Sequence, residues 1–451
     1  SGVNNIFQNR TLEGGKLDVD FSQTAESDGD DTHIGAAFGH GFAGGRGHFV
    51  VGYEYQDMEN VECLRVRDWC GEGRGVYTSV NTNDPNSPPV PSLLVGSNLR
   101  RSQQGPTGVL QVHDPALPPF VFPGTAPGPT TLMFDAAGTG LVPHTLAAAP
   151  YNTVLPFGGR AVVGGDGPSI YEYTDLRAPV ERNVATGAFR FDVTDTVTLT
   201  ADLSWGEVTT RITNGGLNAD AINVAPDNAY ITPQLRTALQ TAMPLFGTII
   251  PGFEFAGPTG FTLNKDWTSQ INEFSQFDTE VKRFSIGLDG KIGDSSWTWD
   301  TYYQYGETDR QQLVQDNRRL NGYSMAVDAV NAIAGDPTSP IVCRVTREGF
   351  AGAVAQNPNG GYQFANPLIA QGCVPLNQFG NQPLSQAAHD FAFGYLRENL
   401  NYKQQNIAVN FSGDVWEGFG AGAIQAAFGL EYRIEEGENI AAEELPDEVR
   451  T

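Results

Sequence analysis

Apolar and polar side chains alternate along several segments of the chain, each about ten residues long. From 297 to 305 the odd positions hold Trp, Trp, Thr, Tyr and Tyr, while the even positions hold Thr, Asp, Tyr and Gln. From 424 to 434 the even positions hold Ile, Ala, Phe, Leu, Tyr and Ile. Because a β-strand turns successive side chains to opposite faces, each segment predicts a strand with one apolar and one polar face.

The alternation predicts nine strands, joined by connections of two kinds. The strands are expected near 14–25, 32–42, 47–58, 180–193, 197–212, 278–292, 296–311, 400–413 and 421–436. Short links at 43–46, 194–196, 293–295 and 415–420 alternate with long ones at 59–179, 213–277 and 312–399, and the short link 27–31 occupies a long-loop position. This pattern is typical of outer-membrane barrels, with short periplasmic turns and long outer loops. The predicted fold is all-β: a partial antiparallel transmembrane β-barrel of about nine up-and-down strands, with long extracellular loops carrying short helices.

Outward-facing positions are apolar and inward-facing positions are polar in this interpretation. The outward candidates are Leu17, Val19, Phe21, Ile34, Ala36, Phe38, Phe49, Val51, Tyr53, Tyr55, Phe189, Phe191, Val193, Leu199, Ala201, Leu203, Trp205, Phe284, Ile286, Leu288, Ile292, Ile407, Val409 and Phe411. The acids Asp202, Asp289 and Glu431 are expected to face inward and to pair with Arg190, Arg283 and Arg433 across the inner wall. Aromatic residues near the strand ends favour a membrane-interface girdle. The alternative is a set of aromatic cross-strand pairs in a soluble β-sandwich.

Composition removes several classes of function. The 451 residues carry 27 Lys and Arg against 52 Asp and Glu, a net charge of -25, which argues against nucleic-acid binding. No apolar run approaches the roughly 20 residues of a membrane helix. The chain opens without Met or a basic-then-apolar leader, so we expect either a removed leader or an internal piece of a longer protein. The acidic run 435–448 predicts a solvated loop beyond the last strand, with a cation-attracting rim as the alternative.

Four cysteines occur as two local pairs, Cys63 with Cys70 and Cys343 with Cys373. Each pair shares one polar loop, which favours local pairing among the three possible connectivities. The pattern predicts two disulfides in an oxidising compartment such as the periplasm or cell surface. The alternative is four free thiols in a cytosolic protein.

The long connections are rich in Pro, Gly and Asn and are predicted to be mostly irregular. Short helices are expected at 232–241, where Thr232 supplies an N-cap and Pro233 occupies the first helical position, and at 318–333 and 385–393.

No motif in the sequence meets the requirements of a catalytic, cofactor-binding or metal-binding site. Gly39, Gly41 and Gly44 match a dinucleotide fingerprint, but the segment after them alternates like a strand, whereas the fingerprint needs a helix. The six histidines lack helical ligand spacing and nearby cysteines, and no serine or cysteine nucleophile arrangement is found. We therefore expect no enzymatic activity, no cofactor and no metal.

Several short motifs, in order along nearly the whole chain, resemble one family. They are residues 2–7 (GVNNIF), 10–14 (RTLEG), 42–47 (FAGGRG), 287–290 (GLDG), 297–306 (WTWDTYYQYG), 366–368 (NPL), 373–377 (CVPLN), 379–380 (FG) and 428–433 (FGLEYR). The chain resembles part of a TonB-dependent outer-membrane receptor. The resemblance implies that 1–10 end a plug domain, that 11–436 form part of a barrel, and that 437–451 begin an acidic extracellular loop.

The family's barrels have about 22 strands and are plugged, so nine strands predict an open, curved sheet or a barrel completed by further residues. The resemblance implies energised uptake of a scarce, bulky nutrient across the outer membrane of a Gram-negative bacterium. The partners implied are outer-membrane lipid, a small-molecule or oligosaccharide ligand, and the TonB complex, reached through a plug outside this chain.

Aromatic and guanidinium side chains in the loops are the candidate ligand contacts, because they stack on sugars or pair with anions. They are Arg65, Arg67, Trp69, Tyr77, Arg100, Arg101, Tyr171 and Tyr173. Two other classes of function remain open: a passive porin or surface adhesin, and a soluble secreted β protein. An upstream plug and TonB-contacting segment would favour the receptor, and partition into water from detergent would favour the soluble protein.

Overall fold

The structure is a computed structural model, and it describes residues 10–63, 67–78, 93–101, 104–111, 130–145, 161–169, 175–213, 218–242, 260–358, 360–362, 365, 367–417, 420 and 422–443. Nine antiparallel strands form its main sheet, and each pairs with its neighbours along the chain. The strands are β1 (Gly14–Ser22), β2 (Asp31–Phe42), β3 (Gly47–Met58), β4 (Val180–Thr194), β5 (Val197–Thr213), β6 (Phe274–Lys291), β7 (Thr298–Arg318), β8 (Phe393–Glu417) and β9 (Ala423–Glu443). The nine predicted strands and their order are confirmed. Within the described ranges β1 and β9 are the two edges, so the sheet is open, as predicted.

The last three strands are longer than the sequence predicts at the loop end, and β8 also continues past its predicted short-turn end to Glu417. β7 runs to Arg318, β8 begins at Phe393 and β9 ends at Glu443. The predicted boundary at 436 is therefore wrong, because residues 437–443 are paired with β8 rather than lying in a loop. Both faces of these extensions carry many polar side chains, so hydrophobic alternation cannot reveal them.

Short turns connect the strands at one end of the sheet, and long loops connect them at the other. The β2–β3 turn is a 3₁₀ turn, Ala43–Gly45, in which Ala43, Gly44 and Gly45 all have positive φ. Glycine adopts this left-handed backbone without steric cost, which suits a tight reversal. The long connections are loop 1 (residues 23–30), loop 2 (59–179), loop 3 (214–273) and loop 4 (319–392).

Five α-helices lie in the loops of the described chain: α1 (Asp68–Gly71), α2 (Pro233–Ala242), α3 (Leu320–Val327), α4 (Arg344–Gln356) and α5 (Gln386–Ala392), and Pro367–Ala370 forms a 3₁₀ turn. Helices α2 and α5 confirm two predictions, and Ser385 caps α5 by accepting a hydrogen bond from the amide of Ala388. The predicted helix at 318–333 is shorter, because a strand follows at Ala329–Asn331.

In the described residues, the long loops contain many short strands that the sequence does not predict. Short strands lie at Val61–Glu62, Gly75–Thr78, Leu93–Gly96, Leu99–Arg101, Val109–Gln111, Thr130–Phe134, Leu141–Thr145, Ala161–Val163, Asp175–Arg177, Asn218–Val224, Phe261–Asp266, Ala329–Asn331 and Ile341–Cys343. Five of them form a second sheet in the spatial order 141–145, 130–134, 109–111, 261–266 and 218–224. This sheet joins loops 2 and 3. All six residues of the strand 261–266 are buried, so this strand has no exposed polar face for alternation to mark.

The packed apolar core lies in the loops rather than on the main sheet. One cluster joins Leu110 and Phe134 of loop 2 to Leu263 of loop 3 and Phe379 of loop 4. A second cluster seats loops 3 and 4 on the start of β8, where Trp267 and Tyr323 pack edge-on against Phe393. We call the packed parts of loops 2, 3 and 4 the loop cap.

None of the helices in the described ranges has the length and apolar character needed to cross a membrane.

Candidate functional site

One face of the main sheet carries an exposed apolar belt. The pairing places Leu17, Ala36, Tyr53 and Ala185 in one cross-strand row, and further rows such as Leu288, Thr301, Val409 and Leu430 continue the same face. Leu17, Leu203 and Leu430 are 70%, 60% and 77% exposed. The cost of leaving apolar surface in water is about 25 cal/mol per Å², so a contiguous belt of this kind requires an apolar surrounding.

Aromatic side chains at the loop edge of the belt direct their polar atoms toward the loops. The Tyr53 hydroxyl donates to Asn183 at 2.7 Å, the Trp205 indole Nε1 donates to Glu280 at 2.7 Å, and the Tyr305 hydroxyl donates to Glu307 at 2.8 Å. Each acceptor lies one row nearer the loops than its aromatic donor. This is the arrangement expected where an apolar medium meets water.

Aromatic rings also cluster at the short-turn edge of the belt. Phe411 and Phe428 stack with centroids 5.4 Å apart, and Trp297 packs against Phe428 at 5.7 Å. Near the β2–β3 turn, the Arg46 guanidinium lies 5.0 Å from the ring centre of Phe191. The belt therefore has an aromatic edge on both sides, as the predicted girdle requires.

The opposite face of the sheet is polar and internally hydrogen-bonded. Arg283 donates to Gln304 at 2.8 Å, and Asn410 donates to Asp300 at 2.8 Å. Arg433 pairs with Glu431 on its own strand, whereas the sequence predicts a pair across the inner wall. The partner of Asp202 is Arg10, at 2.9 Å, so the segment before β1 reaches the polar face of β5.

Two other predicted inner-wall pairings differ in the structure. Arg190 pairs with Asp192 on its own strand, and Arg283 bonds the neutral Gln304. Sequence spacing gives the facing direction of each side chain but not which neighbour it reaches.

Beyond the belt, the outward face becomes acidic toward the loops. Glu207, Glu280, Asp309 and Glu438 follow one cross-strand row and line a groove of about 510 Å³. Lys282 and Lys403 pair with Glu280 and Glu307 at its margin. The outer face of the sheet thus has two zones, an apolar belt nearer the short turns and a charged zone nearer the long loops.

A buried arginine joins loops 3 and 4. Arg344 is 2% exposed, and it donates through Nη1 to Asp227 of loop 3 at 2.8 Å and through Nε to Asp328 of loop 4 at 3.0 Å. The Tyr362 hydroxyl also donates to Asp328, at 2.6 Å. Arg344 directly follows Cys343, whose disulfide to Cys373 spans the same loop. This four-residue network, the Arg344 junction, holds the loops together by charge.

The pKa values of the Arg344 junction are shifted by burial and by charge. Burial alone would raise the pKa of Asp227, but the hydrogen bonds and charge of Arg344 hold it below its ordinary value. Burial alone would lower the pKa of Arg344, but Asp227 and Asp328 raise it above its ordinary value. Burial, together with the charge of Asp328, raises the pKa of Tyr362. Arg344 and Asp227 therefore stay charged at neutral pH.

A buried lysine joins all three loops of the cap. Lys265 of loop 3 is 1% exposed, and its Nζ donates to the carbonyl of Pro106 in loop 2 at 2.9 Å and to that of Gly380 in loop 4 at 2.5 Å. The ammonium also lies 4.4 Å from the ring centre of Trp267. Burial lowers the pKa of Lys265 to about 7, against the opposing effect of Asp266.

The disulfides are Cys63–Cys70 and Cys343–Cys373, the local pairs that the sequence favours. Arg67, predicted as a ligand contact, lies inside the first disulfide loop and binds Asp28 of loop 1 through both terminal nitrogens, at 2.8 Å each. The hydrogen bond from Arg67 holds the pKa of Asp28 well below its usual range. The structure gives Arg67 a role in joining loops 1 and 2.

The other predicted ligand contacts are dispersed or lie outside the described residues. Trp69 on α1 is 58% exposed, and Arg100 and Arg101 lie on the strand Leu99–Arg101, where Arg100 bonds Asn98 and Arg101 bonds Gln104. Tyr77 lies on the strand Gly75–Thr78. Arg65, Tyr171 and Tyr173 lie outside the described residues. Their roles in ligand binding stay predictions.

Sequence reasoning missed the residues that shape the cap. One sequence feature, its position beside Cys343, could have identified Arg344. No local sequence feature marks Lys265 or Asp227, because their partners are distant in the chain. In the described parts of the chain, no three His, Cys, Asp or Glu side chains come together as metal ligands.

Comparisons with known proteins give structural likeness only. No protein-family model matches the chain, and no curated protein matches it. Among solved structures it is similar to the siderophore receptor PiuA from Acinetobacter baumannii (9% identity, TM-score 0.25), covering 94% of this chain and 42% of that one. It is also similar to the ferric-catecholate import receptor Fiu from E. coli K12 (9% identity, TM-score 0.25), covering 94% of this chain and 46% of that one. The chain spans less than half the length of either receptor.

Proposed function

We propose that this chain is part of a TonB-dependent outer-membrane receptor of a Gram-negative bacterium, which takes up a scarce, bulky nutrient such as a siderophore or an oligosaccharide. The main sheet is the part that crosses the membrane, with the short turns in the periplasm and the loop cap outside. The proposal includes no enzymatic activity and no cofactor.

The observation that carries the membrane assignment is the pair of aromatic edges around the exposed belt. Tyr53, Trp205 and Tyr305 all direct their polar atoms to the loop side, toward the charged zone. A soluble β-sandwich buries its apolar face against a second sheet, whereas here buried apolar side chains are concentrated in the loop cap. The belt is therefore best explained by lipid.

The loops support recognition on the outer side. They are stapled by two disulfides, which persist in oxidising compartments. They also pack into one body through the Arg344 junction and Lys265. Binding functions are commonly placed on loops that a rigid scaffold positions. The energised, TonB-dependent part of the proposal rests on the sequence motifs.

The intact mass of the native polypeptide separates this proposal from its alternatives. We expect peptides of this sequence in an outer-membrane protein of roughly twice 48.5 kDa, because a plugged barrel of this kind has about 22 strands. The measurement is intact-mass spectrometry after detergent extraction of outer membranes. A native mass of 48.5 kDa would contradict the receptor and favour a passive porin or adhesin. Recovery of the protein from the aqueous phase of a detergent phase separation would favour a soluble β protein.

A further inference from the structure

His389 of loop 4 lies between two carboxylates. Its Nε2 is 3.3 Å from Oδ1 of Asp316 on β7, and its Nδ1 is 3.1 Å from Oδ1 of Asp390, the next residue of α5. A neutral imidazole has one N–H donor and one bare nitrogen, whereas a carboxylate only accepts hydrogen bonds. The doubly protonated ring is therefore the form that can donate to both carboxylates at once.

An irregularity in β7 presents Asp316 to this histidine. The pairing of β7 with β8 shifts register between Val314 and Asn317, and Asp316 has a left-handed backbone with φ of 58°. Aspartate tolerates this conformation better than most residues, and a register shift of this kind, as in a β-bulge, commonly redirects a side chain. The side chains of Asp316 and His389 are 21% and 25% exposed, so water screens their interaction only partly.

The helix that carries His389 joins the loop cap to the main sheet. Its buried residues Ala388 and Ala392 belong to the apolar cluster that seats loops 3 and 4 on β8. Strand β8 begins at the next residue, Phe393, and the imidazole ring stacks on the Phe393 ring with centroids 5.7 Å apart. The contact between His389 and Asp316 therefore ties the end of loop 4 to a second strand, β7.

The other charged side chains at this joint are two arginines. Arg318 ends β7 and lies over an aromatic ring of α3, and Arg319 follows it. Hydrogen bonds from His389 and from Gln386, with a smaller effect of the Arg319 charge, hold the pKa of Asp390 below its ordinary value. The carboxylate and guanidinium groups of the joint thus keep their charges at neutral pH, and histidine is the residue type that ordinarily titrates between about pH 5 and 8.

We propose that His389 is a proton-sensitive joint between the loop cap and the main sheet, which holds α5 against β7 most firmly in acidic surroundings. A docked α5 offers the ring proton two carboxylates, whereas a released α5 offers Asp390 alone. Protonation therefore favours docking, and the stability of the docked helix falls as the pH rises through the range in which the ring loses its proton. The inference goes beyond the proposed function, because it does not depend on what the protein transports.

Amide hydrogen exchange of the full native protein in detergent micelles tests the inference. Protection of the amides 386–393, corrected for the intrinsic pH dependence of exchange, is compared at about pH 5.5 and about pH 8. We expect protection roughly fivefold higher at the lower pH, because two partly exposed charge pairs form there. Strands β5 and β6 are the internal reference and should show no such ratio.

Three variants make the result specific. His389→Gln removes the titrating ring and should give equal protection at the two pH values. Asp316→Asn keeps a side chain that tolerates the left-handed backbone, and it should reduce the ratio to about twofold. His33→Gln is the matched control and should leave the ratio unchanged, because His33 also lies between carboxylates, Asp20 at 3.3 Å and Glu54 at 3.5 Å, but on the main sheet.

Two outcomes would overturn the inference: equal protection of α5 at both pH values in the native protein, or an unchanged ratio in His389→Gln. If His389→Gln unfolds α5 at both pH values, Asp316→Asn decides, since an unchanged ratio in that variant also contradicts a contact between His389 and β7. None of these outcomes bears on the membrane assignment, which the intact mass tests separately.

Discussion

Leu203→Arg is expected to destabilise the membrane-inserted protein strongly. Leu203 lies in the apolar belt, between Gly187 and Phe284 on the neighbouring strands, with its side chain 60% exposed. An arginine on the lipid face of a barrel costs up to about 2–4 kcal/mol, and a loss of about 2 kcal/mol lowers the equilibrium constant for folding about thirtyfold. The measurement is the free energy of unfolding of the full-length protein in lipid vesicles, by urea titration.

Thr200→Arg is the matched control for this prediction. It lies three residues away on the same strand and faces the polar inner surface, opposite Gly287 and Arg190. We expect a loss of less than about 1 kcal/mol, because water reaches this face of the barrel. Equal losses for the two variants would mean that neither face contacts lipid.

Arg344→Met is expected to unfold the loop cap locally while leaving the main sheet intact. The substitution leaves Asp328 buried with only the Tyr362 hydroxyl as a hydrogen-bond donor from the junction. Removing one partner of a buried ion pair costs about 3–5 kcal/mol, because the remaining charge loses its compensation. Hydrogen exchange of helices α3 and α4 measures this loss, and the exchange of β5 and β6 serves as the internal reference.

A compensating change and acidification both test the cause of that loss. Asp328→Asn combined with Arg344→Met removes the uncompensated charge and should recover part of the stability.

The pKa of Asp227 lies below its ordinary value of 3.8. Its contribution is therefore complete above that value and is lost as the pH falls through the folded-state pKa. The difference between native protein and variant should narrow under acid, and a difference independent of pH would indicate lost packing instead.

The strands of the main sheet could be predicted from the sequence because apolar side chains recur at every second residue. Alternation located all nine strands, with smaller errors at the loop ends of β1 and β6 and at the short-turn end of β8. Its largest errors lie at the loop ends of β7, β8 and β9. There the outward residues Glu307, Asp309 and Glu438 are as polar as their inward neighbours, so the period of two disappears. Hydrogen bonding continues for several residues after the pattern ends.

The loop cap could not be predicted in the same way. Its core is assembled from Phe134, Leu263 and Phe379, which are separated by more than a hundred residues in the chain. The side chains that join it, Lys265 and Arg344, reach partners whose positions no local pattern gives. Arg67 is predicted as a ligand contact because a guanidinium pairs with anions, but in the structure its guanidinium forms an ion pair with Asp28. Residue type alone does not separate a recognition residue from a structural one.

The most direct test of the account is a scan of spin labels along β5, from position 199 to position 209, in the full-length protein in lipid vesicles. Accessibility to oxygen, which dissolves in lipid, and to a water-soluble nickel complex is measured at each position. We expect oxygen accessibility to be high at 199, 201, 203 and 205 and low at 200, 202 and 204, with nickel accessibility rising at 207 and 209 in the charged zone. High nickel accessibility at 201 and 203, or the absence of a two-residue period, would contradict a lipid-facing belt.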